Sequence, residues 1–207
     1  MSRTFKINKN PYDDIAIYKK ATITLEPGVT VLVGCNGSGK TTLLHTIKEK
    51  LEREGTPVLS YNNLSDGGDF AKSKAGYHGN MELMATLMCS SEGEQIYINI
   101  GQLASQIGRF ARTEQGAPEL WFLFDAVDSG LSVDNIEELK TVLFNLIIKD
   151  SPKSDVYIIV SANEYEMCRG ENCFDVINGK YVRFNDYEEY RDFILNTRKQ
   201  KDKRYNS

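Results

Sequence analysis

Long apolar runs are missing from this sequence. No stretch approaches the roughly 18–20 residues that a membrane-spanning helix needs, so no membrane segment is expected. The opening MSRTFKINKNPYDD has no apolar h-region, which argues against a secretory signal. Cysteine is scarce: Cys35, Cys89, Cys168 and Cys173 lie far apart except for the last pair, whose spacing fits no common zinc motif. They read as reduced thiols of a cytosol-like compartment, and a cytoplasmic protein is expected. Histidine is scarcer still, with two in the chain. His78 has no second histidine, cysteine pair or carboxylate cluster at ligand spacing, so it is not expected to hold a metal. An excess of basic charge is also missing. The net charge of −4 and a pI near 5.4 exclude a whole-molecule field for nucleic acid, though not a local basic patch.

What is present is an ordinary globular composition, 41% hydrophobic and 26% charged over 207 residues, enough for one domain spanning 1–207 with a substantial core. The most informative stretch is Val31 to Thr42, VLVGCNGSGKTT. A short apolar strand (Val31, Leu32, Val33) runs into a glycine-rich turn and then a helix carrying Leu43, Leu44, Ile47 and Leu51. Gly34, Gly39, Lys40 and Thr41 satisfy G-x-x-x-x-G-K-[ST], the phosphate-loop pattern, in the strand–loop–helix context it requires. Glycines let backbone N–H groups approach an anion with no Cβ in the way. The start of the following helix adds N–H donors and a positive dipole end. Lys40 can reach β- and γ-phosphate oxygens, and the Thr41 hydroxyl can ligate Mg²⁺. Both flanks agree, which separates this turn from a glycine-rich βα turn that binds nothing. Gly34, Asn36, Gly37, Ser38, Gly39, Lys40, Thr41 and Thr42 are therefore the expected nucleoside-triphosphate contacts.

Taken in order, residues 1–33 read as a small β lobe leading into that strand. Ile15, Ile17, Ala21, Ile23 and Leu25 alternate with polar residues, and Glu26-Pro27-Gly28 marks a turn. Tyr12 and Tyr18 lie upstream, where an aromatic face either stacks on a base or packs the sheet. The first helix is expected to stop at Gly55. Val58 to Tyr61 is a candidate strand, and the glycine-rich, polar 62–80 a candidate mobile loop. Met81 to Met88 is a short apolar helix candidate, serving as core filler or as a partner surface. A helical pattern then runs through Ile96, Ile100, Leu103, Ile107 and Phe110. Leu120 to Phe124 is a continuous apolar strand ending in Asp125, and an acid at the tip of a buried parallel strand lies where α/β ligands bind. Beside a phosphate loop such an acid holds Mg²⁺, so Thr41 and Asp125 are the expected metal ligands. Asp134 and Glu137 suggest a capping box, Val156 to Val160 another buried strand, and Asn178-Gly179 a hairpin. The closing Arg198 to Arg204 carries five basic residues and one acid and reads as a solvated tail.

The order of these pieces resembles the ATP-binding-cassette class of P-loop ATPases. Ser90-Ser91-Glu92-Gly93-Glu94-Gln95 is similar to that family's L-S-x-G-E-Q signature, with Ser91 and Gly93 at the informative positions. Phe124 to Leu131 is similar to its Walker B strand and D-loop, and Ser161-Ala162-Asn163 falls where its switch histidine lies. The resemblance implies an α/β P-loop fold with a mostly parallel central sheet flanked by helices, a small antiparallel β lobe, and a reduced helical lobe over 56–112. It also implies ATP and Mg²⁺ as ligands, and a homodimer or paired ATPase subunit in which Ser91 and Gly93 face the partner's ATP. About fifty residues separate the phosphate loop from the signature-like segment. That span is too short for the helical insert of transporter cassettes or an SMC coiled coil, and suits a small stand-alone member of RecF-like style. Two positions depart from the family: the catalytic glutamate's place is Ala126, and the switch histidine's is Asn163. Asp128 is the nearest substitute acid, which leaves Lys40, Asp128 and Asn163 as the expected catalytic set.

The leading expectation is an ATPase acting as an ATP-dependent dimerisation switch on an effector protein. Its alternative is an ATP-binding interaction module whose hydrolysis has decayed. A small-molecule kinase using Arg109 and Arg112 leaves the signature-like segment without a role. No N-K-x-D guanine motif appears, since Asn8-Lys9-Asn10 precedes the loop and lacks the acid. Nucleic-acid association rests only on the basic tail and on family analogy.

Overall fold

A computed structural model describes residues 2–7, 18–63 and 92–205, apart from the side chains of 92–99 and 204–205. The chain opens with β1 (Arg3–Lys6) and β2 (Thr22–Leu25), paired antiparallel as a two-stranded sheet. A six-stranded sheet follows, built from β3 (Gly28–Val33), β4 (Val58–Asn62), β5 (Glu119–Asp125), β6 (Asp155–Ser161), β7 (Asn172–Asp175) and β8 (Lys180–Val182), in the order β4-β5-β6-β3-β7-β8. All its pairings are parallel except β7 with β8. The expected mostly parallel sheet with a small antiparallel lobe is what forms.

The three central strands read as near-continuous apolar runs because both of their faces are covered. Alternate residues go to opposite sides. Leu32, Trp121, Leu123, Tyr157 and Ile159 face helix α1 (Lys40–Arg53) and the small sheet. Val31, Val33, Phe122, Phe124, Ile158 and Val160 face the other layer. That layer comprises α2 (Glu92–Thr113), α3 (Val133–Leu139), α4 (Asn145–Asp150), α5 (Tyr165–Cys168) and α6 (Tyr187–Tyr205). Between α3 and α4 the helix widens into a π turn over Lys140–Phe144. On the first face Trp121 stacks on Tyr157 at 3.9 Å and meets Phe5 edge-on, locking the small sheet to the large one.

Helix α1 buries Leu43, Leu44, Ile47 and Leu51, the stripe its spacing predicts, each contributing about 1.5–3 kcal/mol. It ends as expected at Gly55, whose φ of +69° is the left-handed stop a glycine makes cheaply. Two expectations change. Ser132, rather than Asp134, is the residue at the N-cap of α3, and its hydroxyl bonds the Asp134 carboxylate instead of a backbone N–H. The basic tail is not a free solvated segment: it continues α6 to Tyr205 and returns to the phosphate loop. Among the described residues, no helix is long and apolar enough to cross a membrane.

Candidate functional site

In a parallel sheet the carboxyl ends of neighbouring strands converge on one edge, which is where α/β proteins place ligands. Here Gly34 follows β3, while Asn62, Asp125 and Ser161 end β4, β5 and β6. The pairing sets Asn62 beside Asp125 and Asp125 beside Ser161.

The phosphate loop is built by steric necessity. Gly34 has φ +152°, and a Cβ there would come within 2.6 Å of Ser38 Oγ and 3.3 Å of Val176 Cγ2. Gly37 and Gly39 have φ of +75° and +93°, conformations that ordinary side chains avoid. Ser38 is buried beneath the loop, and its N–H donates to Cys35 O at 3.0 Å to close the turn. Asn36 and Gly37 stand exposed at the crest, with Thr41 and Thr42 exposed on the first turn of α1. No side chain caps the start of α1 and no acid lies in its first turn, so the positive end of the helix is kept for an anion.

Lys40 is buried, 8% exposed, and its Nζ donates to Gly34 O at 2.8 Å. Burial lowers its pKa, while the nearby Cys35, Asp128 and Asp125 pull toward the charged form. Thr41 Oγ1 donates to Asp125 Oδ1 at 3.2 Å, bringing together residues 84 positions apart. Asn62 Nδ2 donates to Asp125 Oδ2 at 3.0 Å. Sequence reasoning missed Asn62 and placed it in a loop; its register beside Asp125 was visible only once β4 paired with β5. A cavity of about 430 Å³ opens here, lined by Thr41, His45 and Lys48 of α1, Ser60 and Asn62 of β4, and Asp125. Hard oxygen donors at this spacing suit Mg²⁺, which characteristically takes few protein ligands and completes its shell with water and phosphate.

The turn after β5 is different. Ala126 has φ +52°, uncommon for a residue with a Cβ. Asp128 is completely buried, and its Oδ2 accepts the backbone N–H groups of Asn163 at 2.7 Å and Glu164 at 2.8 Å. Its Oδ1 is buried with no hydrogen-bond partner among the described residues. Burial raises the pKa of Asp128, and the two N–H bonds and Lys40 partly oppose this. The Asn163 side chain is exposed, while its carbonyl accepts from Tyr190 Oη at 2.7 Å. Tyr18 packs against the loop and donates to Gly39 O at 2.7 Å, its proton held more tightly because the side chain is half-buried. Gly93 lies in the first turn of α2. Ser91, Tyr12, His78 and Met81 to Met88 lie outside the described residues.

Residues 12–51 match the AAA domain family. The matched stretch holds the Gly34–Thr41 phosphate-loop pattern. That match covers the strand–loop–helix unit and leaves the rest of the chain to be read from its own geometry. No curated protein matches the chain in sequence. Among solved structures, a nucleotide-free ATP-binding cassette from an ABC transporter is similar at a TM-score of 0.47 and 14% identity, over 94% of each chain. A cassette in its ADP conformation gives 0.48 and 16%, over 95% of this chain and 97% of that one. A dimeric post-hydrolysis cassette bound to ADP and Pi gives 0.46 and 14%, over 90% and 97%. At these scores the likenesses carry no argument about the arrangement of Lys40, Thr41 and Asp125.

Proposed function

We propose that this chain, as one ATPase unit over 1–207, binds ATP with Mg²⁺ and hydrolyses it, acting as an ATP-dependent dimerisation switch of the ATP-binding-cassette class for an effector protein. The observation that carries the binding step is the 3.2 Å contact between Thr41 and Asp125, with Lys40 buried beside them. On this reading Lys40 exchanges the Gly34 carbonyl for the β- and γ-phosphate oxygens. The N–H groups at the start of α1 cradle the phosphates, and Asn62 orients the Asp125 carboxylate. Thr41 and Asp125 would hold Mg²⁺, which neutralises charge developing on the transferred phosphoryl group. The dimer rests on the order of phosphate loop, signature-like Ser91 and Gly93, Asp125 strand and D-loop-like turn.

A second reading, an ATP-binding module with little hydrolysis, is favoured by one observation. The nearest substitute acid for the missing glutamate, Asp128, has one oxygen committed to two backbone donors and only Oδ1 left to take a proton. A general base is typically worth about 10²–10⁴ in rate. Phosphate release and ATP uptake should be measured for the wild type, Lys40→Ala and Asp128→Ala. Saturable uptake lost in Lys40→Ala supports the binding reading, and equal background phosphate release in all three proteins removes the enzyme. Sizing the protein with and without ATP–Mg²⁺ tests the dimer, which an unchanged monomeric mass would exclude.

A further inference from the structure

Helix α6 meets the nucleotide site at both of its turns through one face. Tyr190, Thr197 and Lys201 are seven and four residues apart, which places them on the same side of a helix. Thr197 is 1% exposed; its hydroxyl accepts the Cys35 N–H at 3.1 Å and donates to Ile194 O at 2.8 Å, so its proton is committed. Lys201 Nζ donates to Asn36 O at 3.1 Å and lies across Gly37, 3.4 Å from where a Cβ would stand. Lys19 Nζ ties the same end of the helix to the β7–β8 turn through Gln200 Oε1 at 3.2 Å and Asn178 Oδ1 at 2.6 Å. Tyr190 reaches the carbonyl of Asn163, whose N–H is held by Asp128.

We propose that Thr197 and Lys201 are positioning residues for the phosphate loop, and that α6 is thereby the regulatory element of the site. A loop that cradles phosphate must turn N–H groups inward, which sends its other backbone groups outward. Those outward groups, Cys35 N–H and Asn36 C=O, are the ones α6 satisfies. With α6 docked the loop is held in its anion-binding shape before the ligand arrives. With α6 lifted, Cys35 and Asn36 seek other partners and the loop relaxes. By linkage, ATP must tighten α6 by the same factor that α6 tightens ATP. A partner that captures α6 would therefore release nucleotide, and the Tyr190 contact carries the same displacement to Asn163.

This inference rests on the ATP-binding reading, and the test separates the two. ATP affinity is titrated with a fluorescent ATP analogue in Mg²⁺ for the full-length wild type, Lys40→Ala, Thr197→Val, Thr197→Ser and Lys201→Met, each with its melting temperature. Amide exchange over 187–203 is followed with and without ATP. Thr197→Val should bind about tenfold more weakly and Lys201→Met about threefold, with Thr197→Ser near wild type. Lys201 is partly exposed, so its variant should keep the wild-type melting temperature and show the loss free of any unfolding. In the wild type, ATP should slow exchange along α6. Wild-type affinity in Thr197→Val and Lys201→Met beside a weak Lys40→Ala, or exchange in α6 that ignores ATP, overturns the proposal alone. No saturable uptake by the wild type overturns the ATP-binding reading and this one with it.

Discussion

Two turns leave the same edge of the sheet one strand apart, Gly34–Thr41 after β3 and Ala126–Leu131 after β5, and they use their polar groups in opposite ways. In the first, three glycines at positive φ open the backbone, and outward groups are satisfied from elsewhere by Thr197, Lys201 and Tyr18. On the proposed reading its inner side takes the phosphates. In the second, the polar groups turn inward: Ser129 N–H returns to Ala126 O, Leu131 N–H to Asp128 O, and the Asp128 carboxylate grips residues 163 and 164. A turn braced from outside can present its interior to a ligand, whereas a turn that satisfies itself acts as a joint. On the proposed reading, phosphate-binding groups gather at the first turn and proton-transfer groups are sparse at the second.

The sharpest way to break this contrast is to supply what the second turn lacks. Ala126→Glu should raise phosphate release by about 10²-fold if a missing base limits turnover; an unchanged rate would locate the limit elsewhere. Next in size is Asp128→Ala, which strands two part-buried N–H groups. Unfolding by denaturant should show a loss of about 2–4 kcal/mol, while a solvated carboxylate would give almost none. Asp128→Asn keeps an acceptor and should cost less. It should also change the pH profile. The Asp128 pKa is raised by burial, so the folded state holds this proton more tightly than the unfolded chain does. Its contribution to stability is full below the unfolded value of about 4 and is lost as pH rises through the folded value. The asparagine variant should flatten that fall.

On the binding side, Thr41→Val should weaken ATP about tenfold in Mg²⁺ and hardly at all in EDTA, because it removes one oxygen of the Thr41–Asp125 pair. Equal losses in both buffers would show that the hydroxyl serves only the fold. The smallest effect belongs to Ala126→Gly. Relief of a left-handed conformation, less the chain entropy of glycine, should stabilise the protein by about 0.5–1 kcal/mol in a thermal melt.

Much of the site's first turn was legible in the chain because its constraints are local. Gly34, Gly37 and Gly39 are dictated by φ and close approach, and Lys40 and Thr41 follow Gly39 directly at the start of α1. The strand ending in Asp125 was legible as well, since a strand buried on both faces leaves an unbroken apolar run. Asn62 was not, because its role comes from the register between β4 and β5. The Arg198–Arg204 segment read as a solvated tail because its composition is strongly basic, yet α6 carries Lys201 back to Asn36 over 165 residues of separation. Asp128 was singled out as an acid near the missing base, and only packing showed that its carboxylate is turned toward the backbone.

By itself the sequence determined the phosphate loop, the acid opposite it, and the alternation that divides the sheet into two buried faces, since each depends on residue type and short spacing. Tertiary structure decided which acid is buried as a joint, which strand supplies Asn62, and which helix braces the loop. Those outcomes depend on pairing between segments far apart in the chain, where no local preference of the backbone reaches.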